Sequence, residues 1–341
     1  MRVLALALLN GDCSLTLSSI RPVRTPLTSE IARHSAAPSP RAELPPPSAE
    51  ARRHSEQLAA RIRDAIVGAG GWIDFARYME MALYAPGLGY YAAGSAKLGA
   101  PGDFVTAPEI SPLFGATLAA QIAEVLDQTG GDVLELGAGT GRLAADVLAA
   151  LEARDRLPAS YRILEVSADL RQRQQRYLQA QVPELLDRIE WLDALPLRMT
   201  GVVLANEVLD ALPVHLLSWC DEQILERGVI AVGEGFGWED RAIGPGPLRE
   251  AASALPVQPP YASELALAAP ALVATLAGAL DKGALLLIDY GFGRGEYFHP
   301  QRTGGTLMCH YRHRVHDDPF YLPGLQDITA QIGKASCRER V

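Results

Sequence analysis

Asp132-Val-Leu-Glu135-Leu-Gly137-Ala-Gly139-Thr-Gly141 is the stretch that decides the fold. A short apolar run, Asp132–Leu136, leads into three alternating glycines, and a helical pattern follows to Leu151. A loop placed between a strand and a helix gathers backbone N–H groups and the positive end of a helix dipole at one point. Glycine is needed there for unusual dihedrals and for close approach of a ligand. Two cofactor classes use such a turn. The dinucleotide fingerprint is G-x-G-x-x-G, whereas here the third glycine comes one residue early and an acid, Glu135, stands two residues before the first. The phosphate-cradling P-loop is excluded, because no Gly-Lys-Ser/Thr follows.

Outward from this turn the βα alternation continues. Tyr161–Val166, Arg188–Leu192, Gly201–Ala205 and Ala284–Asp289 read as further strands. A helix over Ala168–Gln181 separates the first two and presents Arg171, Arg173 and Arg176 as a solvated face. Short apolar strands separated by helices predict an α/β fold, a mostly parallel sheet with helices on both faces. Between the fourth and fifth strands, Leu216–Trp219, Gln223–Leu225 and Gly228–Val232 predict a small β insert at about 214–283, with Ala266–Leu280 as the crossover helix. Upstream, Leu58, Ile62, Ala65 and Ile66 recur at helical spacing from His54, and Gly68–Gly71 closes the segment. Helices over Asp74–Leu83 and Leu113–Leu126 follow, joined by a Gly- and Pro-rich surface loop over Leu88–Pro112. The chain thus divides into an extension (1–53), an N-terminal helical and cofactor-loop region (54–126), a core (127–330) and a foreign-looking tail (331–341).

Composition narrows the function. Over 341 residues the hydrophobic fraction is 48% and the charged fraction 21%, as in an ordinary globular chain. The net charge of −9 leaves no domain-wide basic field for a nucleic-acid backbone. Only Lys97, Lys282 and Lys334 are lysines among the 31 basic residues, a coding bias rather than an RNA-binding signal. No apolar run approaches the ~18–20 residues of a membrane span. Cys13, Cys220, Cys309 and Cys337 lie far apart with no C-x-x-C pair, which argues against a disulfide framework or structural zinc and for a reducing compartment. The Ser-, Pro- and Arg-rich stretch 14–53 reads either as a disordered extension or as a transit peptide.

Polar groups recur at the strand ends. Glu165 closes the second strand, where an acid accepts hydrogen bonds from ribose hydroxyls. Asp193 follows the third strand, in position for an adenine amino group, and Asn206-Glu207 follows the fourth, beside the switch point of an open sheet. This arrangement resembles the class I S-adenosylmethionine-dependent methyltransferases, with their Rossmann-like sheet. Gly102-Asp-Phe-Val-Thr-Ala-Pro-Glu-Ile-Ser-Pro-Leu-Phe-Gly115, Asn206-Glu-Val-Leu-Asp-Ala-Leu-Pro213, Ile288-Asp-Tyr-Gly-Phe292 and Asp317-Asp-Pro-Phe320 with Asp327-Ile-Thr-Ala330 narrow the resemblance to the MidA-like family, over about Glu56–Ala330. Its mitochondrial members are protein arginine methyltransferases that assist complex I assembly. The resemblance implies bound S-adenosyl-L-methionine and an arginine in a protein substrate, with a homodimer compatible. It implies the cytoplasm for a bacterial source and the mitochondrial matrix for a eukaryotic one. In the family Asp-Ile-Thr-Ala continues into His-Val-Asp-Phe; here Ala330 runs into Gln-Ile-Gly-Lys-Ala-Ser-Cys-Arg-Glu-Arg-Val341, so the last two strands of the sheet are expected to be missing and the chain to be truncated.

Methyl transfer from a sulfonium is an in-line displacement in which the protein positions the reactants and handles charge. A guanidinium acceptor needs carboxylates to orient it and to take a proton. Glu207 and Asp210, with Asn206, are the candidate catalytic residues, and Glu109 is a candidate to close over them. Asp210 reads equally as a helix N-terminal acid. The candidate cofactor residues are Glu135, Gly137, Gly139, Gly141, Glu165 and Asp193; the resemblance adds Asp103 and Thr106, which otherwise read as turn-formers. Asp289 either lines the acceptor pocket or caps the next loop. Cys309-His310, His313 and His316 have a metal-like spacing, but Arg312 and Arg314 alternate with them and oppose a cation, so no metal is expected. A cofactor-binding assembly factor without transfer activity and an inactive copy are the rival readings.

Overall fold

The computed structural model describes residues 2–4, 44–93, 106–221 and 223–333. After β1 (Arg2–Leu4), helix α1 (Ala49–Gly68) begins five residues ahead of the expected His54, because the Ser48 side chain accepts a hydrogen bond from the Ala51 N–H at 3.1 Å and caps it. Its buried stripe is Leu58, Ile62 and Ile66. Next come β2 (Ile73–Asp74) and α2 (Phe75–Tyr84), with Asp74 as N-cap rather than first helical residue. The Gly/Pro loop contains a single-turn helix, α3 (Ala107–Ile110), before α4 (Pro112–Thr129). Then follow β3 (Asp132–Leu136), α5 (Arg142–Glu152), β4 (Tyr161–Leu164), α6 (Ala168–Gln181), β5 (Ile189–Leu192) and β6 (Met199–Asn206). The insert carries β7 (His215–Cys220), β8 (Gln223–Val232), β9 (Gly235–Ala242), α7 (Pro247–Ser253) and β10 (Tyr261–Leu265). The chain returns through α8 (Ala268–Ala279) to β11 (Leu280–Phe292), then α9 (Arg294–Tyr297), β12 (Met308–Tyr311), β13 (Arg314–His316), β14 (Asp327–Thr329) and β15 (Ile332–Gly333).

The main sheet runs β1-β11-β6-β3-β4-β5. Its five central strands are parallel, and strand order reverses at β3, the switch point of a doubly wound sheet. Alternate residues face opposite layers. Val133, Val202, Leu204 and Ile288 pack with Leu148 of α5 on one face, whereas Leu134, Val203, Leu285 and Leu287 pack with Leu276 of α8 on the other. Beyond β11 the sheet carries β1, antiparallel, and β15, parallel.

The insert is larger than expected and is not self-contained. Gln223–Leu225 and Gly228–Val232 form one continuous strand, β8, and β9 and β10 extend a five-stranded sheet of order β10-β7-β8-β2 with β9 on β8. Its edge strand β2 comes from the N-terminal helical region, so that region and the insert share one sheet and one core. Gly228 allows this join: a Cβ there would overlap the Trp72 indole. A small sheet, β13-β12-β14, packs beneath α2 through Cys309 and Ile328.

Candidate functional site

The carboxyl ends of β3, β4 and β6 open into a cavity of about 300 Å³. Its floor is the glycine turn: Gly137, Gly139 and Gly141 hold φ of 61°, 55° and 88°, values that side chains rarely tolerate. The Gly137 N–H donates to the Leu164 carbonyl at 3.0 Å and the Gly141 N–H to the Ala138 carbonyl at 2.8 Å, which seats the turn between β3 and β4. Of the expected cofactor residues, Thr106, Glu135, Gly137, Gly139 and Glu165 line the cavity, and Gly141 closes the turn at the start of α5. Asp103 lies outside the described residues.

Two carboxylates flank the turn. Glu135 is 2% exposed and accepts a hydrogen bond from the Tyr161 hydroxyl at 2.7 Å. Burial pushes its carboxyl up to about 7; the Tyr161 bond opposes that rise, and the nearby Glu165 charge adds to it. Glu165 accepts from the Ser167 N–H at 2.9 Å on one oxygen and from Gln174 Nε2 at 2.9 Å on the other. Burial raises its pKa, and the donors Ser167, Gln174 and Val166 hold it down.

Asp193, expected beside the cofactor, is set apart from the cavity wall. Its side chain is 91% exposed, pairs with Arg171 Nη1 at 2.9 Å and does not line the cavity. The loop after β5 carries it outward, and Arg171 is anchored at 2.7 Å to the Leu192 carbonyl beside it. Glu109 is also placed differently from expectation: it accepts from the Thr140 hydroxyl at 2.5 Å and closes over the glycine turn, not over Glu207 and Asp210.

The second half of the site follows β6. Asn206 and Glu207 line the cavity, and Glu207 adopts φ +53°, a strained value for a non-glycine residue. The strain is held by the Glu207 N–H donating to the Ile288 carbonyl at 2.8 Å and by the Ala107 N–H of α3 donating to its carboxylate. Burial and the Asp289 charge push Glu207 up to about 7, opposed by Asn206 and Ala107. Asp210 is not on the cavity wall; it lies behind it. Burial, then the charges of Asp289, Asp327 and Glu207, raise its carboxyl well above the usual range. Asp289 caps rather than lines. Its Oδ2 accepts from the Leu209 and Asp210 N–H groups at 2.8 and 3.2 Å, and its Oδ1 from the Tyr290 N–H at 2.7 Å. Burial still raises it to about 6.

Several positions at the site escape the sequence reading. Tyr84 and Tyr91 line the cavity with stacked rings 5.5 Å apart, their hydroxyls donating to the Ala211 carbonyl and to Asp327 Oδ1, both at 2.9 Å. Gln174 is fully buried, and its signal was a polar residue on the apolar stripe Leu170, Gln174, Leu178 of α6. In the histidine-rich segment Cys309 and His316 are cross-strand neighbours on β12 and β13, but Cys309 is buried in the apolar core and His313 sits in a turn at φ +61°. Among the described residues the converging group of possible metal ligands is Asp74, His215 and Glu226, in which His215 Nδ1 and Glu226 Oε1 lie 2.6 Å apart and Asp74 caps α2.

A strand–glycine turn–helix with an acid behind it and a second acid at the end of the neighbouring strand is a nucleoside-binding arrangement, and comparison with known proteins decides which. Residues 117–333 match the family model described as "Putative S-adenosyl-L-methionine-dependent methyltransferase". The chain belongs to this family. A structure from Burkholderia thailandensis, described as a "likely methyl transferase" bound to S-adenosyl-homocysteine, is 48% identical, covers 86% of this chain and 77% of its own, and superposes with a TM-score of 0.83. The mitochondrial protein arginine methyltransferase NDUFAF7 homolog of Drosophila melanogaster is 30% identical over 325 residues, 86% of this chain and 72% of that protein. The zebrafish (Danio rerio) NDUFAF7 is 30% identical over 302 residues, 77% of this chain and 67% of its own length. The methyltransferase fold and its cofactor, S-adenosyl-L-methionine, follow from these matches. The glycine cradle and the buried acids Glu135 and Glu165 facing the cavity fit that cofactor. Among the described residues no helix is long and apolar enough to cross a membrane.

Proposed function

We propose that this methyltransferase acts on an arginine side chain of a protein. The observation that carries this reading is the group of acids at the ends of β6 and β11. Glu207, Asp210, Asp289 and Asp327 crowd together, each of the first three has its carboxyl raised by burial, and the charges of its neighbours raise Glu207 and Asp210 further. Among the described residues, the groups that offset the charge of Glu207, Asp210 and Asp289 are the Asn206 side chain and backbone N–H donors. A buried cluster of like charges is relieved by a cation of complementary geometry, and a guanidinium offers paired N–H donors to carboxylates. The names of the NDUFAF7 relatives agree with this class, and the family resemblance directs it to a protein of complex I assembly.

S-Adenosyl-L-methionine supplies an electrophilic methyl group on a sulfonium. Gly137 and Gly139 would hold it by close backbone approach, and Glu165 by its carboxylate. Glu207, on the cavity wall, orients the acceptor nitrogen and accepts the proton that nitrogen loses as it takes the methyl group. Asp210 supplies negative potential from behind, and Asp289 fixes the turn that carries both. Tyr84 and Tyr91 give the cavity aromatic walls that keep water from the acceptor side.

The test is incubation of the chain with tritium-labelled S-adenosyl-L-methionine and a protein extract, followed by amino-acid analysis of the labelled protein. Label in methylarginines is the expected result. Label in methyl-lysine, in base-labile carboxyl esters or in nucleic acid overturns the reading.

A further inference from the structure

We infer that Gln174 is a positioning residue for cofactor recognition, which sets the orientation and charge of Glu165 so that this acid reads the ribose hydroxyls. The inference rests on the reading of Glu165 as the ribose acceptor. Gln174 is 0% exposed, and every polar atom of its amide is engaged. Nε2 donates one hydrogen to the Gly139 carbonyl at 3.1 Å and the other to Glu165 Oε2 at 2.9 Å. Oε1 accepts from the Trp191 indole N–H at 3.0 Å.

The chemistry of these partners leaves the amide one orientation. An indole N–H only donates, so Oε1 must face Trp191; a peptide carbonyl only accepts, so Nε2 must face Gly139. The remaining Nε2 hydrogen then points at Glu165 Oε2 and demands an acceptor there, a bond that is stronger to the ionised carboxylate than to the neutral acid. One side chain therefore ties three strand ends together: the glycine turn after β3, the acid after β4, and Trp191 on β5. Contact is close, because a Cβ on Gly141 would stand 3.3 Å from the Gln174 Cα. The other Glu165 oxygen is held by the Ser167 N–H. Both oxygens are thereby aimed, and with the Val166 N–H as a third donor about one of the carboxylate's roughly four acceptor sites stays free to accept from the ribose diol.

Two consequences separate this role from packing. Loss of the Gln174 donor should relax the aim of Glu165, so selectivity for the ribose hydroxyls falls rather than affinity alone. It should also raise the Glu165 pKa, because a donor to the charged form has gone, so binding fails at higher pH on acidification.

The experiment is calorimetric titration with S-adenosyl-homocysteine and with its 2′-deoxyribose analogue, read as the ratio of the two Kd values. For the parent chain the analogue should bind about 10-fold to 100-fold more weakly, the worth of a hydrogen bond to a charged acceptor. Glu165→Ala should bring the ratio within about threefold of one. Gln174→Leu should do the same while retaining measurable binding, and its acid limb should move to higher pH. In Gln174→Glu the new carboxyl can donate to Glu165 only when protonated, so the ratio should rise toward the parent value on acidification and collapse as pH rises. That variant carries the test if Gln174→Leu does not fold. If Glu165→Ala keeps the parent ratio, the ribose reading of Glu165 fails and the inference with it. If Glu165→Ala loses the ratio while both Gln174 variants keep it at every pH, only the role of Gln174 is overturned.

Discussion

Glu207→Gln should make the cofactor-free protein more stable at pH 8 while removing its methyl transfer. The Glu207 carboxyl is raised from 4.5 to about 7, chiefly by burial and then by Asp289. The folded state thus binds this proton more tightly than the unfolded state, and ionisation opposes folding. Below about pH 4 the opposition is absent in both states; it grows as pH rises from about 4.5 to 7 and is complete above that. At about 1.4 kcal/mol per pKa unit the full shift corresponds to about 3 kcal/mol. Glu207 stays partly open to solvent through the cavity, and screening reduces this to about 1–2 kcal/mol. Gln keeps the shape and can still accept from the Ala107 N–H, so the substitution removes the charge without opening a void. The melting temperature should rise by about 2–4 °C at pH 8 and by much less at pH 5. Transfer should fall at least about 100-fold, as for loss of a proton acceptor, with S-adenosyl-homocysteine affinity within about threefold of the parent. Thermal unfolding followed by circular dichroism at the two pH values is the assay. An unchanged melting temperature at pH 8, or an equal gain at pH 5, would refute the argument that this acid is held at the site against its own solvation.

Asp289→Asn removes the charge that raises Glu207 and replaces an acceptor of at least three backbone N–H groups with a side chain carrying its own N–H donors. The acid limb of the pH–rate profile should move down, because a neutral neighbour lets Glu207 ionise more readily, and the maximal rate should drop about 10-fold to 100-fold as the turn loses its aim; an unmoved limb contradicts this. Gly201→Ala should prevent stable folding, with a loss above about 3 kcal/mol, because Gly201 sits at φ +125° and an added Cβ would overlap the Asp132 carbonyl oxygen on β3. Denaturant titration checks this, and a parent-like midpoint would be the contrary result. Gly139→Val, at φ +55° in the turn, should abolish saturable binding of S-adenosyl-homocysteine with the circular dichroism spectrum retained. Binding within threefold of the parent would show that the turn does not approach the cofactor.

The core strands and the glycine cradle are written locally in the chain. Parallel strands buried on both faces are local apolar runs, and α6 carries its own stop and start signals in Ser167 and Pro183, so its bounds, Ala168–Gln181, were legible to the residue. The glycines of the turn were legible for a similar reason, since a backbone that must adopt positive φ selects glycine at that position. Glu135, Glu165 and Glu207 could be placed at the cavity from the sequence because a strand end in a doubly wound sheet has a known place in space. How the side chains at those ends are aimed depends on the packed fold. Asp193 follows a strand as Glu165 does, yet its loop turns it to solvent and Arg171, while Gln174, from mid-helix, fills the buried place beside the cofactor turn. The insert was likewise read too small. Glu226-Arg227 looks like a break in an apolar run, but β8 continues through it, and at the adjacent Gly228 the chain admits Trp72 from far upstream. The exposed strand β9 lacks an apolar pattern of its own and takes its register from β8. Periodicity reports which face of an element is buried. Loop paths, cross-sheet neighbours and the shared solvation of Glu207, Asp210 and Asp289 depend on residues distant in the chain, so no local window contains them.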